Sequence, residues 1–393
     1  MVYLLVFILL AIPVVKYDLF AKTGGENKWY YACLVALILL AGLRYRVGSD
    51  TLMYMSVFDD CPKLDELKYF DFAEAKYNPL WYVINAISRS IHDSFTCFQV
   101  IHAMFVNSVF FWFFRKYCPL YYFSAILLYY IGYFCYFNME VMRESLCICI
   151  MLLAIPSYMN RKYFMYYVLC IIGVLFHYSA MLLFFLPLLR FFQKPSWKWQ
   201  LVIFITIVLF VKVINVPTLL LNVLGFNEQM ILLLKNYLDM ERSLMGMLSE
   251  ILKYLPIFIL ICVREANGIS DRYDFTPIVM GVVIVYSMAM EVGGFARFIN
   301  YFVPFIIVYS VNTLYTVLNM DFKSKQMTFL SSVAAFLLLL VNMASFYLGD
   351  VSQVYPNTRA YVRYLPYYSI FDPKIDEHRE RFVENDREVI IQF

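Results

Sequence analysis

Charged and ionisable residues recur at four places beside apolar runs, and their types suit the binding and discharge of an anion. The first is the segment RYRVGSD, which holds Arg44, Arg46, Gly48 and Asp50, with Tyr54 four residues further on. Guanidinium groups pair bidentately with phosphate oxygens, so two arginines, a glycine and an aspartate in seven residues match an anion-binding turn. The same arginines also fit long side chains snorkelling from the end of a membrane span. The second place holds Glu140, Arg143, Glu144 and Ser145 at the head of an apolar run. Charges there are costly unless paired or facing a wet cavity. A helix N-terminus favours an anion, and Arg143 would add to that preference; a local ion pair among Glu140, Arg143 and Glu144 is the structural alternative. The third is His177-Tyr178-Ser179-Ala180, between two apolar runs of about fifteen residues each. Runs that short place the turn within the bilayer depth, where irregular backbone must be buried in protein or line a cavity. A structural histidine with satisfied hydrogen bonds is the alternative there. The fourth runs from Glu291 through Gly293, Gly294 and Arg297 to Tyr301, and on its own it is a weak signal.

Together these motifs predict a pocket that gathers Arg44 or Arg46, Arg143 and Arg297, with Asp50, Glu144 and His177 nearby. Three cations around one pocket repel unless an anion bridges them. A lipid-linked pyrophosphate answers that need and would enter from the bilayer. No carboxylate-rich metal site is legible and no cofactor motif is present, so cations would take the place of a metal in stabilising a diphosphate leaving group.

The elements that must position these residues are membrane helices. The chain has 393 residues, 62% hydrophobic and 16% charged, with a mean hydropathy of +0.67. A soluble domain is about half apolar and about a quarter charged, which excludes a soluble enzyme of ordinary make-up. The net charge of +3 is too small to suggest nucleic acid as a partner, and no basic run supports one. Apolar stretches predict about twelve spans, near 2–15, 29–43, 95–114, 119–137, 141–159, 163–176, 178–192, 199–216, 247–263, 275–291, 297–318 and 327–348. Residues 79–91 are apolar only on one side, with Asn85, Ser88 and Arg89 interrupting, and they read as a helix lying in the interface. With that helix not crossing and the N-terminus outside, the short basic loops fall on one side: Lys16, Lys22 and Lys28, Arg115 and Lys116, Arg161 and Lys162, Arg190, Lys194 and Lys198, Arg264 and Arg272, and Lys323 and Lys325. The four motifs then share the opposite, outer side with an acidic loop at 44–94 and a segment at 217–246. Residues 1–348 form the transmembrane domain and 349–393 an outer tail, its aromatic part on the membrane surface and its charged part, from Lys374, mobile. Met1 to Val15 reads as a retained span and not a cleaved signal. The nine cysteines have neither disulfide nor zinc spacing.

The motifs also carry a resemblance. Arg44, Gly48 and Asp50 followed by Tyr54, Arg143 at the head of a central span, His177 to Ala180, and Arg297 through Tyr301 to Phe302 resemble the EpsG family, related to Wzy-type polymerases of surface polysaccharides such as O-antigen, capsule and exopolysaccharide. One departure is Glu144, where that family usually has glutamine after the arginine. The resemblance implies an all-α, glycosyltransferase-C-like bundle in the bacterial inner membrane with its site on the periplasmic face. It implies a metal-independent glycosyltransferase that joins oligosaccharide units carried on polyprenyl (undecaprenyl) diphosphate. A flippase and a chain-length regulator would be its partners, together with membrane lipids. In that reaction Arg143 and Arg297 would bind the diphosphate with Arg44 and Arg46 assisting. His177 or Asp50 would orient or deprotonate the acceptor hydroxyl. Tyr54 and the aromatic residues of 79–82 would stack on sugars, and Gly48, Glu144 and Tyr301 would complete the binding site. A polysaccharide ligase and a lipid-linked oligosaccharide flippase or transporter remain as alternatives. A ligase would differ only in its acceptor, whereas a transporter would spread its charges along a central path.

Overall fold

The computed structural model describes residues 1–192, 196–213, 244–291, 293–320, 326–349 and 358–381. Most of the expected 217–246 segment lies outside the described residues. Every regular element among the described residues is helical, apart from isolated bridges of Ser369 with Arg44 and Asp372. The expectation of an all-α fold therefore holds. Five helical stretches are long and apolar enough to cross a membrane: Val2–Leu19, Phe95–Tyr117, Met142–Met159, Phe295–Leu318 and Gln326–Leu348. Shorter apolar helices accompany them, among them Tyr122–Gly132, Tyr163–Phe176 and Trp197–Phe210. The chain is an integral membrane protein.

Two compact units divide the chain: residues 1–184 with 343–393, and residues 185–342. The first unit contains α1 (Val2–Pro13), α2 (Glu26–Gly42), α3 (Thr51–Asp59), α4 (Pro79–Ile91), α5 (Phe95–Tyr117), α6 (Tyr122–Gly132), α7 (Met142–Met159) and α8 (Tyr163–Phe176). Helix α7 is its core, with Leu146, Cys147, Ile148, Cys149, Leu152, Ala154 and Ile155 all buried. Gly42 lets α2 press on α5, since a Cβ there would lie 2.9 Å from the Val100 side chain. Helix α4 starts where Asn78 and Pro79 predict it, proline being tolerated at the first helical position. It buries Trp81, Asn85, Ala86 and Ser88 and leaves Ile87 and Ile91 exposed, the one-sided pattern of an amphipathic helix. Ser94 caps α5 by accepting from the Thr96 N–H at 3.2 Å.

The apolar stretch read as one span at 119–137 is broken in the structure. Helix α6 ends at Gly132, where a Cβ would sit 2.8 Å from the Met343 side chain. A π-helical turn then covers Tyr136–Glu140, and a backbone break at Val141 precedes α7. That break makes Arg143 and Glu144 first-turn residues of a new helix. The described cysteines are free thiols, and Cys61 and Cys118 are buried.

The second unit contains Trp197–Val213, Leu244–Asn267, Thr276–Glu291, a 3₁₀ stretch Gly293–Phe302, and Val303–Leu318. Gly281 allows close packing inside it, because a Cβ there would lie 2.7 Å from the Phe302 ring. Arg264 is buried but paired with Asp271 at 2.9 Å, hydrogen-bonded to Thr313 at 3.0 Å and set over the Tyr309 ring. A buried cation needs such a set of partners to be tolerated.

Candidate functional site

The turn between α2 and α3 is held by bonds that the sequence did not announce. Arg44 folds back on its own turn, donating to the carbonyls of Val47 at 3.1 Å and Ala41, and it approaches Met142 Sδ at 3.4 Å. It is 1% exposed. Burial lowers its pKa to about 10, so it remains a cation at neutral pH. A guanidinium bonded to backbone carbonyls inside the protein acts as a strut for the turn. Gly48 has φ +102, and a Cβ on it would lie 2.5 Å from the Met139 carbonyl oxygen, so the turn requires glycine there. Thr51 Oγ1 donates to the Val47 carbonyl at 2.7 Å and also lies 3.3 Å from that of Met139.

The C-terminal segment completes this turn. Gly48 N donates to the Arg363 carbonyl at 2.9 Å, Tyr45 N to that of Tyr368 at 2.9 Å, and Ile370 N to that of Leu43 at 3.0 Å. Arg46 forms a two-point ion pair with Glu380, the second contact at 3.0 Å. Arg379, 2% exposed, donates to the carbonyls of Arg46 at 3.1 Å, Val362 at 3.2 Å and Pro366. Arg379 and Glu380 thus anchor the charged part of the tail to the RYRVGSD turn, where a mobile end was expected, whereas Lys374 and Arg381 pair with Asp372 and Glu377 of the tail itself.

Arg143 is treated differently. Its guanidinium lies 4.0 Å from the centre of the Tyr77 ring and near the Tyr54 side chain. Its Nε is buried without a hydrogen-bond partner. No carboxylate pairs with it among the described residues. Tyr54 is 3% exposed and packs against the wholly buried Trp81, ring centres 5.0 Å apart. Its pKa is raised by burial and by the Asp50 carboxylate, against a lowering from Arg143, so it stays a neutral phenol that can support the cation. Tyr54 and Trp81, expected to stack on sugars, are buried against each other in this structure, and Tyr82 is also buried.

Short links gather the other residues around Arg143. Glu140, three residues before it, accepts from Ser49 N at 2.8 Å and from Ser49 Oγ, which holds the neighbouring Asp50 to the same end of the unit. Asp50 is the N-cap residue of α3, one helical turn before Tyr54. Cys147, one turn beyond Arg143, donates to the Gly173 carbonyl at 3.1 Å and ties α7 to α8. Asn78 donates to the Val174 carbonyl at 2.9 Å, which sets Tyr77 beside the end of α8. His177 is the residue that terminates α8. Its Nδ1 receives the Ser179 N–H at 3.1 Å and lies 2.7 Å from Ser179 Oγ. Since a backbone N–H can only donate, Nδ1 carries no proton, and in the neutral ring the proton sits on Nε2.

Glu144 is 4% exposed on the first turn of α7. Arg297 and Tyr301 lie on the 3₁₀ stretch of the second unit, Arg297 exposed and Tyr301 1% exposed. Sequence reasoning missed Tyr77, the bracing role of Glu140, and Arg363, Arg379 and Glu380. Tyr77 carried one readable signal, its place in the YNP start of α4. Arg46 and Glu380 are 334 residues apart, and no local pattern joins them.

A model of the EpsG family matches residues 27–367, most of the chain. No curated protein and no solved structure matches it.

Proposed function

Because the chain belongs to the EpsG family, a family of Wzy-like polymerases that points to polysaccharide polymerisation, we propose that it extends a glycan by joining lipid-linked repeat units. In this reading the growing chain leaves its polyprenyl diphosphate carrier and is transferred to a new unit on its own carrier. The reaction takes place at the periplasmic face of the bacterial inner membrane, within a glycosyltransferase-C-like bundle of about twelve spans. The side on which the basic loops gather supports that orientation. The carrying observation is Arg143, a cation held over the Tyr77 ring with no carboxylate paired to it among the described residues. A site of that kind is completed by an anion that arrives with the substrate.

The acceptor hydroxyl oxygen attacks the anomeric carbon of the growing glycan, and its proton passes to Asp50. The bond from that carbon to the diphosphate oxygen breaks, and the electron pair leaves with the diphosphate. Arg143 and the first turn of α7 stabilise the charge that develops there. We assign the base to Asp50, because Nδ1 of His177 is engaged by the Ser179 amide. His177 serves as an Nε2–H donor toward the leaving diphosphate. Cations of the chain supply the charge stabilisation that other glycosyltransferases obtain from a metal. Glu144 borders the binding site, and Arg46 contributes through its pair with Glu380.

The test is a gel ladder made by purified protein in lipid with a polyprenyl diphosphate-linked repeat unit. A ladder from wild type and none from a folded Arg143→Ala variant is expected. Transfer of the glycan to a different acceptor would make the protein a ligase, and passage across vesicles without transfer would make it a transporter.

A further inference from the structure

Glu140 is a carboxylate, 3% exposed, at the end of the π-helical turn that precedes α7. Burying a carboxylate is costly unless hydrogen bonds and an opposite charge compensate it. Glu140 has both: one oxygen accepts Ser49 N at 2.8 Å, the other accepts Ser49 Oγ and lies 3.7 Å from an Arg363 terminal nitrogen. Ser49 adjoins Asp50, and Glu140 stands three residues before Arg143. One side chain thus spans the two segments that carry the reacting groups, at almost the shortest chain distance from each. The contacts of Arg363 bring the C-terminal segment into the same clasp, since its carbonyl also accepts Gly48 N.

We propose that Glu140 is a positioning residue for glycan transfer, fixing the separation of Asp50 from Arg143 through its two bonds to Ser49. The proposal rests on the polymerase reading above. It requires a carboxylate of this length. Both Ser49 groups donate, so each needs an acceptor oxygen, and Arg363 needs a negative partner. Glutamine supplies one acceptor and no charge. Aspartate has the charge, but its chain is one methylene too short to keep both bonds without moving Ser49.

The test uses full-length protein in lipid nanodiscs and the variants Glu140→Gln, Glu140→Asp and Ser49→Ala. Four quantities are read: the folded fraction, amide hydrogen exchange over residues 47–51, binding of polyprenyl diphosphate alone, and kcat and KM for extension. For Glu140→Gln the expected result is a kcat per folded molecule lower by about 30- to 100-fold. KM and diphosphate binding stay within about threefold, and exchange over 47–51 is about tenfold faster. Ser49→Ala loses about three- to tenfold in kcat, and combined with Glu140→Gln it adds nothing further, because both remove the same clasp. If Glu140→Gln does not fold, Ser49→Ala must still lower kcat without raising KM. A kcat per folded molecule within threefold of wild type in both variants overturns the proposal, as does unchanged exchange over 47–51. If wild type neither extends nor binds diphosphate while the exchange still responds, the polymerase reading fails. The catalytic purpose of the clasp falls with it, and its geometry stands.

Discussion

The arginines of the RYRVGSD turn and the arginine at the head of α7 read alike in the sequence, yet the protein treats them in opposite ways. Arg44 is sealed among backbone carbonyls and Arg46 is matched by Glu380. Arg143 rests against the face of Tyr77 and near Tyr54, with no carboxylate paired to it among the described residues. An aromatic face attracts a guanidinium without neutralising it. The comparison separates cations that build a site from one that is kept ready for an external anion. Arg143→Ala should therefore give the largest functional loss, a fall of about 10²- to 10³-fold in extension rate, the range for removing one preorganised donor to a developing anion. Arg143→Lys should recover little, because an ammonium is a point charge without the planar fork. Arg44→Ala should instead lower the folded yield. A folded Arg44→Ala protein that loses diphosphate binding as Arg143→Ala does would break the distinction.

The next effect in size concerns the two candidate bases. Asp50→Asn should lower kcat by about 10²-fold with diphosphate binding retained, the lower end of the span expected for a general base. His177→Asn should cost less and act on diphosphate binding as well, since its assigned task is donation from Nε2. Steady-state rates beside binding of the diphosphate carrier measure the difference. A kcat loss larger for His177→Asn than for Asp50→Asn would exchange the two roles.

Much of this arrangement was legible in the sequence, and the reasons differ residue by residue. The helices were visible because each apolar run has to satisfy its own backbone in a bilayer. Arg143 stood out because a charge at the head of a buried helix is costly without a use. Gly48 and Asp50 were found by their turn chemistry. The lining of the site was not legible, because Tyr54 and Trp81 look the same in sequence whether they face a sugar or each other. Nor was the tail, whose composition suggested a solvated end. Its role depends on Arg363, Arg379 and Glu380 meeting partners more than two hundred residues away, and such pairings leave no local period.

Gly48→Ala sharpens the comparison on the side of stability. Its φ of +102 and the nearby Met139 carbonyl oxygen mean that a methyl group must distort the turn. A cost of about 3 kcal/mol is expected from strained backbone with a clash. Thermal unfolding in detergent checks it, and a shift too small to resolve would show that the turn is not rigidly held.

The smallest effect should come from the Arg46–Glu380 pair. The two side chains are 25% and 17% exposed and meet at two points, so water still screens them in part. Such a pair contributes about 1 kcal/mol, and Arg46→Gln or Glu380→Gln alone should lower extension by no more than about fivefold. If Arg46 only braces the turn, the double variant should resemble either single one, because each removes the same bond. If Arg46 also meets the diphosphate, Glu380→Gln releases a cation and should tighten diphosphate binding, while Arg46→Gln weakens it. Titrating the two single variants with polyprenyl diphosphate therefore decides whether Arg46 belongs with Arg44, among the cations that build the site, or with Arg143.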